Sequence, residues 1–151
     1  MAKSSAGILL YRGSKPAVEL LLGHMGGPYW SKKDDFAWSI PKGEFNLDQE
    51  NPEAAARREF FEETSLQIDQ SLTPLIPFTK HGKTLFLYLL KLDIDHTQLK
   101  SNSFELEWPP KSGIKQFFPE LDRFAWYNLK DASRKMVKNQ QPVLDQLPKN
   151  I

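Results

Sequence analysis

Residues 43–66, GEFNLDQENPEAAARREFFEETSL, constrain this chain more than any other segment. Glu59, Glu62 and Glu63 fall three and four residues apart in a run that contains strong helix formers. At about 100° per residue, a helix places all three on an arc roughly 100° wide, where their side chains are neighbours. Carboxylates this close repel one another unless a positive charge lies between them. We therefore expect a helix whose acidic face binds a hard divalent cation such as Mg²⁺ or Mn²⁺.

The segment resembles the Nudix box, whose family pattern is G-x5-E-x7-R-E-U-x-E-E-x-G-U, with U an apolar residue. Gly43 opens the box, Glu50 is its first acid, and Arg58 begins the R-E-x-x-E-E core. The chain departs from the pattern twice: six residues rather than five separate Gly43 from Glu50, and Ser65 replaces the late glycine. A glycine there usually supplies a left-handed cap. We expect Ser65 to cost on the order of 1 kcal/mol, or the helix to end differently.

The resemblance implies an α/β (α+β) sandwich of the Nudix type, with a mixed sheet between helices. It implies that Glu59, Glu62 and Glu63 coordinate Mg²⁺ or Mn²⁺, with the Gly43 carbonyl as a further, less secure ligand. Arg58 would orient the carboxylates of the box. The ions would neutralise pyrophosphate charge and lower the pKa of a bound water, which then attacks phosphorus. Glu59 and Glu62 are both candidates for the general base.

The loops near the box supply candidates for substrate binding. Lys42 immediately precedes Gly43, and it is expected to pair either with substrate phosphate or with the acids of the box. Trp30, Lys32 and Lys33 lie in a Gly- and Pro-containing loop. These two lysines and the aromatic ring would bind a phosphate chain and stack a base; the alternative is a solvated loop.

Acids outside the box are candidates for an extra ligand to the metal or to water. Residues 104–108, FELEW, alternate in the manner of a strand and place Glu105 and Glu107 on its polar face. These two are favoured over Glu120, and the alternative is that the strand face points outward.

Two other polar residues are interpreted structurally. Glu50 is expected to be a partner of Arg58, although a solvated loop acid is the alternative. His24 is interpreted as a polar residue at a strand end rather than as a catalyst.

Outside the box, short apolar runs predict strands, and a charged run near the C-terminus predicts a second helix capped by Asp131. A hairpin is expected at His81-Gly82, and a final short helix after Pro142. The predicted strands cover residues 6–12, 18–24, 36–40, 104–108 and 123–129, and the second helix covers residues 131–139.

Composition limits the remaining possibilities. The 151 residues fit one domain, 1–151, with one hydrophobic core. A net charge of +1 disfavours a nucleic-acid partner, and the absence of cysteine excludes disulfides and thiolate metal sites. The apolar runs are too short to span a bilayer, and no signal peptide is recognised. We expect a cytoplasmic monomer or homodimer.

The sequence thus predicts a metal-dependent pyrophosphohydrolase that cleaves a P–O–P bond in a nucleoside diphosphate linked to another moiety. Nucleotides and dinucleoside polyphosphates are the favoured substrates. One alternative is a non-catalytic nucleotide-binding regulatory module, although such modules usually lose acids of the box. Another is an RNA 5′-pyrophosphohydrolase, which would need a basic groove.

Overall fold

The computed structural model of this chain describes residues 3–149 and 151. This part of the chain forms ten strands and two α-helices, with short 3₁₀ segments between and after them. The strands are β1 (Lys3–Arg12), β2 (Glu19–Met25), β3 (Trp38–Ser39), β4 (Lys42–Phe45), β5 (Thr73–Pro74), β6 (Phe78–Lys80), β7 (Lys83–Lys91), β8 (Ser103–Glu107), β9 (Lys115–Pro119) and β10 (Leu121–Asn128). The helices are α1 (Pro52–Thr64) and α2 (Leu129–Lys135), and the 3₁₀ segments are His96–Gln98, Lys138–Asp145 and Leu147–Lys149.

Eight of these strands form one mixed sheet. Strands β10, β2, β1, β7 and β5 follow one another across it, while β3, β4 and β6 pair with β2, β1 and β7 respectively. The long central strands β1 and β7 are parallel, and the other pairs are antiparallel. β1 pairs with β2 at Tyr11 and Arg12, and with β4 at residues 4–7. This pairing fixes the start of the box, because Gly43 lies opposite Ala6.

The sheet is buried on both faces, which makes the fold a sandwich. Along β1, Leu9 belongs to one apolar cluster, and Ile8 and Leu10 belong to the other. Alternate residues of a strand point to opposite faces, so a continuous apolar run indicates two covered faces. α1 covers one face through Phe60, and the C-terminal part of the chain covers the other through Met136. The mixed sheet between helices confirms the predicted fold class.

The box helix α1 begins where the sequence predicts. The side chain of Asn51 accepts a hydrogen bond from the Ala54 amide at 2.7 Å, and Pro52 is the first helical residue. Both are favoured at these positions, because the cap satisfies a free amide and proline has none to satisfy. Ala55 and Phe60 are fully buried, which anchors the helix on the sheet.

The helix ends at Ser65 in the left-handed conformation, with φ of 65°. The Ser65 amide donates to the Phe61 carbonyl, and the Ser65 hydroxyl donates to the Lys100 carbonyl. The glycine-type end of the helix is therefore retained without glycine, and the hydroxyl gains a partner in the following loop. None of the helices in residues 3–149 is long and apolar enough to cross a membrane.

Three elements have boundaries or a type that differ from the prediction: the strand expected at residues 36–40, the second helix and the final helix. The strand expected over residues 36–40 is reduced to β3, because Phe36 has φ of 58° and turns the chain. The second helix begins at Leu129 rather than Asp131, since the Asn128 side chain caps it by accepting from the Asp131 amide at 2.7 Å. The final helix is 3₁₀ and includes Pro142 rather than following it.

The hairpin at His81-Gly82 is confirmed: both residues have positive φ, and they join β6 to β7. β4 and β9 were not predicted. β9 pairs with β8 in a separate two-stranded sheet, and we attribute the extended conformation of this short segment to that pairing.

Candidate functional site

An open cavity of about 420 Å³ lies where α1 faces the end of β4. Five glutamates and one lysine are among the described residues that line it. This excess of acid, within a protein of net charge +1, is a local feature of the cavity and not of the whole chain. The charged residues of this carboxylate cavity are Glu44, Glu59, Glu62, Glu63, Glu120 and Lys42.

Arg58 binds three carboxylates beside the cavity. Its Nε and Nη2 donate to the two oxygens of Glu50 at 3.0 and 2.8 Å. Its Nη1 donates to Glu59 at 2.9 Å and to Glu62 at 3.2 Å. The paired bonds lower the pKa of Glu50, and the same contacts raise the pKa of Arg58. A bidentate guanidinium fixes orientation, so this geometry agrees with Glu50 as the partner of Arg58.

Glu59 is packed against the first glycine of the box. It is only 8% exposed, and a Cβ atom built on Gly43 would lie 1.8 Å from Glu59 Oε2. A glycine at this position therefore leaves the space that the carboxylate occupies. Burial raises the pKa of Glu59, and the neighbouring Glu62 raises it further against the opposing effect of Arg58.

The Glu63 carboxylate is poorly compensated. Its Oε2 is buried and has no hydrogen-bond partner among the described residues. Burial, followed by repulsion from Glu120 and Glu59, raises the pKa of Glu63 to about 8, although Lys42 acts in the opposite direction. A buried carboxylate oxygen without a donor is costly, so the arrangement favours a cation or a proton at this position.

Glu120 joins the cavity from outside the box. It lies between β9 and β10, where its amide donates to Asn102 at 2.8 Å and its carbonyl accepts from Gly26 at 2.9 Å. Burial raises the pKa of its carboxyl group. The sequence offered Glu120 only as one of three extra acids, since no local pattern shows that this turn folds back onto α1.

The two extra acids favoured by sequence are not among the residues that line this cavity. Both lie on β8, where Glu105 forms an ion pair with Lys115 at 3.4 Å and Glu107 accepts from the Lys111 amide at 2.8 Å. Their alternation is that of a strand, as predicted, but β8 pairs only with β9 and stands apart from the main sheet.

The predicted substrate-binding residues separate into two groups. Lys42 lines the carboxylate cavity. Trp30 lines a neighbouring pocket, with Lys33 Nζ 5.2 Å from its ring centroid, and Lys32 is exposed in the same loop. His24 is fully buried between the Asp122 carboxylate and the Lys33 carbonyl, at 3.0 and 2.6 Å, which is a structural environment.

The lining of the cavity suits a hard cation, because it is rich in carboxylate groups and includes Gly43. Unpartnered Glu63 Oε2 is an atom that such an ion would satisfy. Among residues 3–149 and 151, no group of three or more His, Cys, Asp or Glu side chains is already arranged around an ion position. Glu59 and Glu62 instead accept hydrogen bonds from Arg58. The carboxylate lining and the buried Glu63 oxygen thus suit a divalent ion, although the side chains of the described residues are not arranged around an ion position.

Comparison with known proteins agrees with this geometry. Residues 1–147 match the NUDIX domain family. No curated protein gives a significant match. Among solved structures, an Ap4A hydrolase from C. elegans in a binary complex is 23% identical, with a TM-score of 0.60 over 97% of this chain and 96% of that one.

Two other similar structures are complexes with quite different binding partners. The NUDIX domain of Shewanella oneidensis NrtR, complexed with ADP ribose, is 12% identical, with a TM-score of 0.65 over 99% of this chain and 88% of that one. The C-terminal domain of mouse MUTYH, in complex with human PCNA, is 15% identical, with a TM-score of 0.60 over 99% and 89%. At these identities the likeness shows a shared fold.

The family match covers nearly the whole sequence, and the resemblance first recognised in the box is confirmed. Nudix hydrolases generally use divalent metal ions. The chain therefore belongs to the Nudix family and is, at the level of that family, a hydrolase that acts on pyrophosphate bonds.

Proposed function

We propose that this protein is a pyrophosphohydrolase that requires Mg²⁺ or Mn²⁺ and cleaves a P–O–P bond in a nucleoside diphosphate linked to another moiety. The observation that carries the proposal is the carboxylate cavity, in which Glu63 Oε2 is buried and has no hydrogen-bond partner within residues 3–149 and 151. A buried carboxylate oxygen without a donor destabilises the protein, so its presence beside an open cavity supports a positively charged ligand.

Glu59, Glu62 and Glu63 would hold the ion, with Gly43 as a further ligand and Glu120 as an acid supplied from outside the box. When bound, a divalent cation neutralises charge on pyrophosphate oxygens and makes water more acidic. Glu59 and Glu62, the two candidates for the general base in the box, both line the cavity. Either would accept the proton of the attacking water.

Arg58 would act as a positioning residue. It is shared between Glu50, Glu59 and Glu62, and so it fixes two of the proposed ligands relative to the loop that precedes α1. Lys42 is the one cation among the described residues that line the cavity, which supports a role in binding a phosphate oxygen of the substrate.

The substrate candidates are nucleotides, dinucleoside polyphosphates and compounds such as ADP ribose. Two structural neighbours bear on this choice, one an Ap4A hydrolase and one complexed with ADP ribose. The carboxylate cavity has a volume of about 420 Å³, within the roughly 300–1,000 Å³ typical of small-molecule sites.

A screen of pyrophosphate compounds tests the proposal. The purified protein is incubated with ATP, Ap4A, ADP ribose and a nucleotide sugar, with Mg²⁺, with Mn²⁺ and with chelator. We expect at least one compound to be hydrolysed at its P–O–P bond, only with metal, and product identity to show which phosphorus is attacked. If none is hydrolysed with either ion, the proposed activity is wrong.

A non-catalytic binding module is the alternative from another class, and the same fold does occur in a domain complexed with ADP ribose. Retention of the three helix glutamates and Arg58 favours catalysis. Stabilisation against heat by a nucleotide that is never hydrolysed would favour the module. An RNA 5′-pyrophosphohydrolase would require salt-sensitive binding of RNA.

The remaining expectations stay predictions. These are a single domain over residues 1–151, a monomeric or homodimeric state and a cytoplasmic location. Size-exclusion chromatography with light scattering measures the oligomeric state directly.

A further inference from the structure

A second, smaller pocket of about 170 Å³ adjoins the carboxylate cavity. It lies between β8 and the loop that follows β2, and it shares Met25 and Glu120 with the carboxylate cavity. A ligand that enters one space therefore borders the other. We call it the aromatic pocket, and its principal walls are Met25, Gly27, Trp30, Phe104 and Leu106.

Two glycines allow the pocket to form. A Cβ atom on Gly26 would lie 1.8 Å from the Pro119 carbonyl oxygen, so only glycine lets the β8–β9 hairpin approach this closely. Gly27 has φ of 93°, and a Cβ atom there would lie 3.0 Å from the Phe104 ring. The loop and the hairpin are thus packed together by backbone contact, with Phe104 beside the loop.

The aromatic pocket is tied to the acidic helix by main-chain hydrogen bonds. The Asn102 amide donates to the Glu62 carbonyl at 2.9 Å, and the Glu120 amide donates to the Asn102 carbonyl at 2.8 Å. Gly26 in turn donates to Glu120 at 2.9 Å. The base of the hairpin is therefore fixed both to α1 and to the loop that carries Trp30.

The chemistry of the walls suits a flat ring. The indole of Trp30, the phenyl ring of Phe104 and the thioether of Met25 are partly buried rather than fully packed. Glu120, shared with the carboxylate cavity, is the charged residue among the described residues that line the pocket. Apolar and aromatic walls bind the faces of a ring, and such stacking is tolerant of base identity because every base has a π face.

The volume of the aromatic pocket also suits a single flat ring. Sites for whole small-molecule ligands usually hold roughly 300–1,000 Å³. At about 170 Å³, the aromatic pocket accommodates one ring system and not a complete nucleotide. The remainder of the ligand would lie in the adjoining carboxylate cavity.

We propose that the aromatic pocket binds the nucleobase of the substrate, and that the phosphates extend from it across Met25 and Glu120 into the carboxylate cavity. This inference rests on the proposed function for the phosphate part of the ligand. It restricts the substrate class to compounds with a base attached through ribose directly to the phosphate chain, and it assigns substrate contacts to Phe104 and Met25.

A binding comparison tests the assignment without turnover, because AMP contains no P–O–P bond. AMP and ribose 5-phosphate, which differ only in the base, are titrated against the protein with Mg²⁺ by calorimetry. We expect AMP to bind at least about tenfold more tightly, since a stacked base contributes on the order of one tenfold step or more. Equal affinity for the two compounds, or no detectable binding of AMP, would overturn the proposal.

A matched pair of variants localises the effect. Phe104→Ala should remove most of the preference for AMP, whereas Phe117→Ala, a 71% exposed phenylalanine of the same hairpin, should keep it. If the two variants behave alike, the base does not bind in the aromatic pocket.

A second measurement does not depend on the folding of Phe104→Ala. The indole N–H resonance of Trp30, assigned by its loss in Trp30→Phe, should shift on addition of AMP and not of ribose 5-phosphate. An unchanged resonance at saturating AMP would overturn the assignment. Base-dependent binding without hydrolysis of any compound would disprove the proposed activity alone, and hydrolysis with base-independent binding would disprove the aromatic pocket alone.

Discussion

At the scale of single residues, the acids of the cavity differ in how well their charge is compensated. Glu50 receives two hydrogen bonds from Arg58, and Glu59 and Glu62 receive one each. Glu63 Oε2 receives none from the described residues. The guanidinium therefore stabilises three carboxylates, whereas Glu63 keeps a buried oxygen that a cation would compensate.

Glu62→Gln should reduce turnover by at least about 100-fold while the protein stays folded. The substitution removes a charge from the proposed ion site, and it changes neither size nor packing at a partly exposed position. Steady-state kinetics under saturating Mg²⁺, with circular dichroism for the fold, measure both effects. Glu53→Gln is the control, since Glu53 pairs with Arg57 on the same helix outside the cavity. Full activity in Glu62→Gln would contradict the role.

Glu63 should make the metal-free protein less stable at alkaline pH. Its folded-state pKa of about 8 lies above the ordinary 4.5, so the folded protein holds this proton more tightly than the unfolded chain does. The stabilisation is complete below the unfolded-state pKa and is lost as pH rises through the folded-state value. We expect Tm in chelator to fall by several degrees between about pH 5 and 8, at roughly 2–4 °C per kcal/mol, and to level off above that range.

The contribution of Glu63 is isolated by Glu63→Gln, which cannot ionise. This variant should lose most of the decrease in Tm. Added Mg²⁺ should also reduce the decrease in the wild-type protein, because a bound cation favours the charged carboxylate. An identical pH dependence in wild type and variant would contradict the explanation.

At the scale of elements, the start of α1 follows the usual sequence preferences for a helix, whereas its end places a serine where glycine is usual. Asn51 and Pro52 begin the helix as its sequence predicts. Ser65 ends it in the left-handed conformation that glycine usually adopts. The hydroxyl of Ser65 donates to Lys100, so one hydrogen bond offsets part of the conformational cost.

Ser65→Gly should be more stable than Ser65→Ala by about 1 kcal/mol. Both variants lose the hydroxyl, so their difference isolates the cost of a Cβ atom in the left-handed region. Urea unfolding monitored by circular dichroism measures the two free energies of unfolding. Equal stability, or a more stable alanine variant, would show that the helix end rearranges rather than bearing this cost.

At the scale of the whole molecule, the core and the site are separate. The two apolar clusters fill both faces of the sheet, and they consist of aliphatic and aromatic residues from β1, β2, β7 and the covering helices. The glutamates of the cavity come from β4, from α1 and from the turn between β9 and β10, and they are not members of these clusters. We therefore expect that folding does not need the ion.

Removal of metal should not unfold the protein. We expect cooperative thermal unfolding in chelator, with Tm a few degrees higher when Mg²⁺ is added, because an ion that binds only the folded state stabilises it. Differential scanning calorimetry with and without chelator measures this. Loss of the cooperative transition in chelator would show that the ion is part of the core.

Much of the fold and the centre of the site could be predicted because their causes are local. The spacing of Glu59, Glu62 and Glu63 follows from helix geometry, and the cap at Asn51 and the turn at His81-Gly82 follow from backbone chemistry. The fold class could be predicted from the resemblance to the Nudix box, because members of that family place this helix on a mixed sheet.

The rest depended on contacts between distant segments. Glu120 reaches the cavity only because its backbone pairs with Asn102 and Gly26, and no residue near it in sequence indicates this. Glu105 and Glu107 alternate as predicted, but a strand pattern does not tell which sheet the strand joins.

The sequence by itself determined the acidic helix, its N-terminal cap and the family, because these follow from spacing over a few residues. Only the tertiary structure decided that Glu120 joins the acids of the helix and that Trp30 and Phe104 line one pocket beside the cavity. The reason is physical: burial and repulsion, which set the pKa of Glu63, are produced by residues brought together from across the chain.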